Sequence, residues 1–514
     1  MSVRAGSGWR QLLRAESWML LAFVALAVLV GGLVTQVIAP LRPLALSPAA
    51  AVLILAFIIA VPYLLKNWRV MLGIFLVWLV LEDLFRKFAG NDLRIYFAKD
   101  VAFLILLLGL FLDPGFRERW RAATGATRFI LYALVAWALI MSVPSWWVDP
   151  RLPFIGLRLD FMYAPLVAAG FAIGSRRSSM RWWLLFAASV GAGISLIGVI
   201  QATIGPSFLS PGTATPGLIH LELFRGIDST VYRPTATFVD PGRFAAFAVL
   251  GFAVSLAAFV MSRGGKRILA LTCAIANAAG IWVSGGRAGL VVGVLLVAFA
   301  AMAGPLAEGR LAPGRAVGML AGIVLAGVLL TALLPGVVGA RLRWYSETLD
   351  PRSSLNEWSF RAEAAIENTG RGLRIGGLFG QGTGTESLGK QYLTGDSNQI
   401  VGLYQVEGGY ASIAVELGAV GVALWLAWSI GWTVRQWRSI KAGRGHRPAT
   451  GAFVLFCWML SFLFYWFVIG FQGFQNYVAN AYFWLLSGVM FAVPFTATDP
   501  YGITDHPAPV DVAT

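Results

Sequence analysis

Glu407-Gly-Gly-Tyr410-Ala-Ser-Ile-Ala-Val-Glu416-Leu-Gly418-Ala-Val-Gly421-Val-Ala-Leu-Trp425-Leu-Ala-Trp428-Ser-Ile430 is the stretch in which this chain changes character. From Ala411 to Ile430 its only ionisable side chain is Glu416. A helix of about 20 apolar residues, rising ~1.5 Å per residue, matches the ~30 Å hydrocarbon thickness of a bilayer. The stretch therefore predicts a membrane-spanning helix entered from a polar rim. Upstream, from about Gly339, the chain is polar and carries Arg341, Arg343, Arg352, Arg361, Arg371, Arg374 and Lys390. The acids Glu347, Asp350, Glu357, Glu363, Glu367, Glu386, Asp396 and Glu407 accompany them. A loop of that length, with aromatics and a Gly-rich turn, reads as a folded functional segment.

Apolar runs of this kind recur along all 514 residues. The chain is 58% hydrophobic and 13% charged, against about 25% charged in a soluble domain, and its mean hydropathy is +0.73. The predicted class is an all-α, polytopic integral membrane protein with about 14 spans (12–14). The runs lie near 18–38, 49–65, 69–85, 99–113, 128–146, 158–174, 182–203, 243–262, 267–284, 287–304, 316–338, 409–431, 451–470 and 477–494. The organisation expected is eleven spans over 1–338, interrupted by a polar segment at 204–243. A large loop follows at 339–408, then three spans over 409–494 and a disordered cytoplasmic tail at 495–514.

Charge orients these spans, because cytoplasmic connections are rich in Lys and Arg. With both termini inside, the inner connections hold 22 positive and seven negative residues, which is the whole formal net charge of +15. The outer connections hold 18 of each sign. The basic excess is thus an orientation signal with contacts to membrane lipids, not a nucleic-acid footprint. Segments 204–243 and 339–408 fall on the outer side. Cys273 and Cys457 sit inside apolar runs and read as packing residues. His220, His446 and His506 are far apart, so no metal site and no cofactor are expected.

Five constellations carry chemistry. Tyr232-Arg233-Pro-Thr-Ala-Thr-Phe-Val-Asp240-Pro-Gly-Arg243-Phe-Ala245 brings Asp240 and the arginines to an interface. Asp240 and Arg243 read either as a helix-start pair with Asp240 as cap, or as part of an anion site in which Arg233 and Arg243 face the substrate. Ser284-Gly-Gly-Arg287-Ala-Gly-Leu290 joins two spans with almost no loop, so Arg287 either snorkels to headgroups or grips a phosphate. Arg361 lies in a short amphipathic helix over 359–366, eleven positions before Gly372. Gly376-Gly-Leu-Phe-Gly380-Gln-Gly382-Thr-Gly384-Thr385 is either a flexible turn or a cradle whose amides point at phosphate. Glu407, Tyr410 and Glu416 close the set. Glu416 reads either as a packing or Arg-paired residue, or as a carboxylate poised as a base.

In order and spacing these pieces resemble the O-antigen ligase and O-antigen polymerase superfamily of bacterial envelopes. The matching pieces are Arg233-Pro-Thr-Ala-Thr-Phe…Pro241-Gly-Arg-Phe-Ala, Ser284-Gly-Gly-Arg287-Ala-Gly, Arg361 ahead of Gly380-Gln-Gly-Thr-Gly, and Glu416-Leu-Gly418-Ala-Val-Gly421, covering roughly 220–430. The resemblance implies a metal-independent GT-C-type glycosyltransferase on the outer face of the inner membrane. Its donor would be an undecaprenyl-pyrophosphate-linked oligosaccharide, and a chain-length regulator and a flippase would be its partners. Arg233 or Arg243, together with Arg287, would clamp the pyrophosphate, with Arg361 as an addition. Ligases of this kind typically carry His-Asn ahead of the Glu-x-Gly helix, nine positions before its Glu, where this chain has Glu407-Gly408. The expectation is therefore a polymerase of cell-surface polysaccharide repeat units with Glu407 as base. Ligase-type transfer to another acceptor, or flipping of lipid-linked oligosaccharide, are the alternatives.

Overall fold

The structure is a computed structural model that describes residues 60–89, 93–205, 208–209, 223–225, 230–307, 335–350, 358–387, 406, 408–466 and 473–496. The chain is a helical polytopic membrane protein. Among the described residues eight helices are long and apolar enough to cross a membrane, or nine if one bent pair counts as a span. These eight coincide with eight of the expected runs. The first expected run and most of the second and eleventh lie outside the described residues. Two others, Arg287–Met302 and Tyr477–Phe491, are shorter apolar helices.

The chain divides into two compact units, 1–114 with 210–214, and 115–209 with 215–514. In the first, α1 (Ala60–Lys66) meets α2 (Trp68–Phe88) at a 108° bend. The helix α3 (Leu93–Leu112) packs back on α2, with Phe75 and Phe103 rings 5.4 Å apart. Glu82, Asp83, Arg86 and Lys99, in the last two turns of α2 and the first two of α3, are buried between these helices. Lys99 Nζ lies 2.9 Å from Glu82 Oε2 and Arg86 Nη1 lies 2.9 Å from Asp83 Oδ1. Both cations also lie over the Tyr96 ring. Each charge is tolerated in the interior because its counter-charge is buried with it.

The second unit holds α4 (Phe116–Thr124), α5 (Thr127–Ile140), α6 (Ser142–Val148), α7 (Leu152–Phe161), α8 (Leu166–Gly174) and α9 (Arg177–Ile204). A short two-stranded antiparallel ribbon, Leu223–Arg225 against Thr230–Tyr232, interrupts the helices. Then come α10 (Pro241–Met261), α11 (Gly265–Ser284), α12 (Arg287–Ala307), α13 (Pro335–Leu349), α14 (Trp358–Gly376), α15 (Gly409–Ala442), α16 (Arg447–Leu460), α17 (Tyr477–Phe491) and α18 (Val493–Thr496). The polar loop expected from residue 339 thus begins as helix, and the amphipathic element at 359–366 is part of a longer one.

Two cores hold this unit together. Trp425, Trp428 and Trp432 recur at helical spacing along α15 and meet Trp484 of α17 and Phe474. The Trp432 indole donates to Ser487 Oγ at 2.9 Å. Helices α9, α10 and α11 cross at Asn277, whose amide donates to Ser255 Oγ at 3.2 Å and accepts from Ser195 Oγ at 2.9 Å. Small residues let helices approach in lipid, where no hydrophobic force separates helix–helix from helix–lipid contact. At the α8–α17 crossing a Cβ on Gly170 would overlap the Leu485 carbonyl, and one on Gly488 would overlap that of Val167. Gly488→Val should therefore destabilise the fold by ~1–3 kcal/mol as an overpacked crossing. Thermal melting of the detergent-solubilised protein reads this out, and a wild-type midpoint would show that the crossing is not close.

Candidate functional site

Arg233 is placed by backbone held from below. Gln201, in the last turn of α9, accepts from the Thr235 and Ala236 amides at 3.0 and 2.7 Å through one side-chain oxygen, and its NH2 donates to the Phe208 carbonyl. Thr235, Ala236, Thr237 and Phe238 are buried as a result. That leaves Arg233 at the C-terminal end of α11, where its Nε donates to the Ser284 carbonyl at 3.2 Å. The α11–α12 connection is the tight hairpin expected. Gly285 takes the left-handed conformation (φ 67°), and Arg287 opens α12 two residues later.

Helix α13 covers this corner. Arg341 is 4% exposed. Its two terminal nitrogens donate to the Val283 and Tyr232 carbonyls, both at 2.9 Å. Its Nε is buried with no hydrogen-bond partner. The Tyr345 hydroxyl donates to the Trp282 carbonyl at 3.1 Å, and the Arg287 guanidinium stands 5.4 Å from the Trp344 ring centre. Burial drives the Tyr345 phenol well above its ordinary range, while Arg341, Arg233 and Arg287 pull it back. Burial also lowers the Arg341 guanidinium. Arg233, Arg287 and Arg341 thus gather where the end of α11 and the start of α12 meet the middle of α13. Arg233 shares this corner with Arg287.

The other expected residues fall elsewhere. Asp240 caps α10, accepting from the Gly242 amide at 3.0 Å, with Pro241 as the first helical residue. The Arg243 guanidinium lies over the Tyr477 ring at 5.4 Å. Tyr410 donates to the Leu463 carbonyl at 3.2 Å. Arg361 belongs to α14, but its side chain lies outside the described residues, as does Glu407 altogether. Gly372, eleven positions after Arg361, packs against the Ala411 backbone where α14 crosses the start of α15.

The Gly-rich turn and Glu416 form a second group. Gly380, Gly382 and Gly384 have φ of 101°, 118° and 88°, conformations open to glycine and strained for other residues. Every amide from Gly380 to Ser387 is spent within the protein. The acceptors are the carbonyls of Gly376, Val415, Glu416, Met141, Gly382 and Gly384 and the Glu416 carboxylate. Glu416 Oε2 accepts from the Gly384 amide, and Oε1 from the Glu386 amide and the Ser387 hydroxyl, at 3.0, 3.0 and 3.2 Å. The amides that could have cradled phosphate are engaged, and the carboxylate that could have been a base is a buried acceptor. Gly380, Gly382 and Glu416 therefore form a self-satisfied junction between the turn and α15. Glu386 extends that junction, accepting from the Val406 amide at 2.9 Å.

Reading the sequence alone left Arg341 and Tyr345 unassigned. Their signal is Arg341-Leu-Arg-Trp-Tyr345, a basic and aromatic run directly after an apolar one. Among the described residues no group of three or more His, Cys, Asp or Glu could hold a metal ion. The sequence matches no known family model and no curated protein.

Glu416→Ala would strand the Gly384 and Glu386 amides, at ~1–3 kcal/mol for each buried unsatisfied group, whereas Glu416→Gln keeps one acceptor oxygen. The alanine variant should melt lower than the glutamine variant, and both below wild type. An unchanged melting point for Glu416→Ala would refute the latch.

Proposed function

We propose that this protein is a membrane glycosyltransferase that polymerises cell-surface polysaccharide repeat units. It transfers a glycan from undecaprenyl pyrophosphate to the next lipid-linked unit at the outer face of the bacterial inner membrane. The observation that carries the reading is the gathering of Arg233, Arg287 and Arg341 where the end of α11 and the start of α12 meet α13: Arg233 and Arg341 donate to the Ser284 and Val283 carbonyls, and Arg287 lies over Trp344. When the glycosidic carbon leaves its lipid carrier, negative charge develops on the pyrophosphate. Fixed guanidinium groups at a site screened from water stabilise that charge more in the transition state than in the ground state. Arg233 and Arg287 are assigned to the pyrophosphate. Arg341 fastens the corner and adds its charge. Glu407 is assigned as the base that takes the proton of the acceptor hydroxyl. Arg361 is assigned to the glycan or its carrier.

The outer placement is supported by the crowding of basic residues at the other end. Arg447 shares its surroundings with Arg177, Arg263 and Arg267, and Arg435 with Arg128, as a cytoplasmic face requires. A flippase is the second reading. The buried charges Glu82, Asp83, Arg86 and Lys99 favour it, since a transport pathway needs ionisable groups within spans.

The test is a gel of envelope glycans and lipid-linked intermediates from cells with and without the protein. Loss of the protein should replace long chains with single repeat units on the lipid carrier. Full-length chains retained on the carrier would instead indicate a ligase, and single units confined to the inner leaflet a flippase. Arg287→Ala should cut polymer formation by ~10²-fold or more at an unchanged protein level, with Arg287→Lys intermediate. Wild-type chain length in Arg287→Ala would remove Arg287 from the site.

A further inference from the structure

We propose that the groove between α4 and the start of α5 binds the phosphate headgroup of an anionic phospholipid. The groove has a volume of about 410 Å³ and is lined by Phe116, Arg117, Trp120, Arg121, Arg128 and Tyr132. Three of these are arginines, three are aromatic, and none is acidic. Glu118, on the same helix, does not line it. Arg117 and Arg121 are exposed, and neither side chain has a hydrogen-bond or ion-pair partner among the described residues.

The groove is built, not incidental. The Trp120 indole donates to the Tyr132 hydroxyl at 2.7 Å, which ties α4 to α5 across the opening. Arg435 reaches from α15 to the Ala122 and Ala123 carbonyls at the end of α4. Gly125 turns the α4–α5 corner at φ 52° and ψ −140°, a conformation that favours glycine. Arg435 stands beside Arg128. It also lines, with Arg438, a neighbouring groove of about 430 Å³.

The occupant follows from what lies next to the charges. Arg128, Tyr132, Ala136 and Leu139 share one face of α5 at helical spacing. Leu139 and the adjacent Ile140 are 53% and 58% exposed. A soluble anion gains nothing from that apolar stripe, whereas an acyl chain lies along it while its phosphate sits among the guanidinium groups. Trp120 and Tyr132 supply the amphipathic rings that suit the headgroup level.

The experiment is native mass spectrometry of the full chain in detergent, titrated with dioleoyl phosphatidylglycerol, cardiolipin and dioleoyl phosphatidylcholine. Phosphatidylglycerol and cardiolipin should bind at least tenfold more tightly than phosphatidylcholine. The variant Arg117→Gln/Arg121→Gln/Arg128→Gln should lose that preference. The variant Arg263→Gln/Lys266→Gln/Arg267→Gln, which removes equal charge from another connection, should keep it. Equal binding of all three lipids overturns the proposal. So does an equal loss in both variants, which would mean diffuse attraction, or displacement of the lipid by millimolar inorganic phosphate, which would mean a soluble-anion site. If the triple variant fails to fold, Arg121→Gln compared with Arg121→Lys decides, and identical lipid binding by the two overturns the assignment.

Discussion

The carboxylate of Glu416 pins the Gly-rich turn to the first turns of α15. Its oxygens take the amides of Gly384 and Glu386 and the hydroxyl of Ser387, and its carbonyl takes the amide of Gly382. Two residues later α15 breaks at Gly418 (φ 67°, ψ −170°). The carbonyl of Leu417 turns out to accept from the Trp137 indole at 2.9 Å. Irregular backbone beside membrane helices survives only where the protein satisfies its polar groups. The kink and the turn do this for each other: Ala419 and Val420 donate to the Gly377 and Leu378 carbonyls. Thr383 then reaches Ala138 and Met141, so α5 is fixed to the same point.

The arginine corner is the opposite kind of arrangement. Here positive groups are gathered, and backbone carbonyls rather than carboxylates receive the two terminal nitrogens of Arg341. Carbonyls orient a guanidinium without cancelling its charge. Gln201 acts on the corner from α9: by taking two successive amides it sets the path of the backbone that carries Arg233.

Much of the architecture was legible because lipid imposes a simple rule on composition. Runs such as Ala411–Ile430 can hardly be anything but spans. The hairpin at Gly285-Gly286 and the cap at Asp240-Pro241 were legible because their signals are local. What depended on distant partners was not. Whether the amides of the Gly-rich turn face a ligand or the protein is decided by Glu416, some 30 residues away. Arg341 was counted as a loop charge because polarity begins near residue 339, while α13 runs on to Leu349. The ribbon strands, three residues each, are too short to show any periodicity. The choice between Arg233 and Arg243 needed the third dimension: one turns to Ser284, the other to the Tyr477 ring.

The ion pair between α2 and α3, Glu82 with Lys99, bears on how the chain enters its membrane. A lone Lys, Arg or Asp at the centre of a single inserting helix costs ~2.5–3.5 kcal/mol. Glu82 and Asp83 lie on one helix with Arg86, and Lys99 on the next, 17 residues after its partner Glu82. Taken singly, each helix presents charge to hydrocarbon. Taken as a hairpin, Glu82 and Lys99 neutralise one another before either meets lipid. As a pair the two helices thus hold less uncompensated charge against hydrocarbon than either does in isolation.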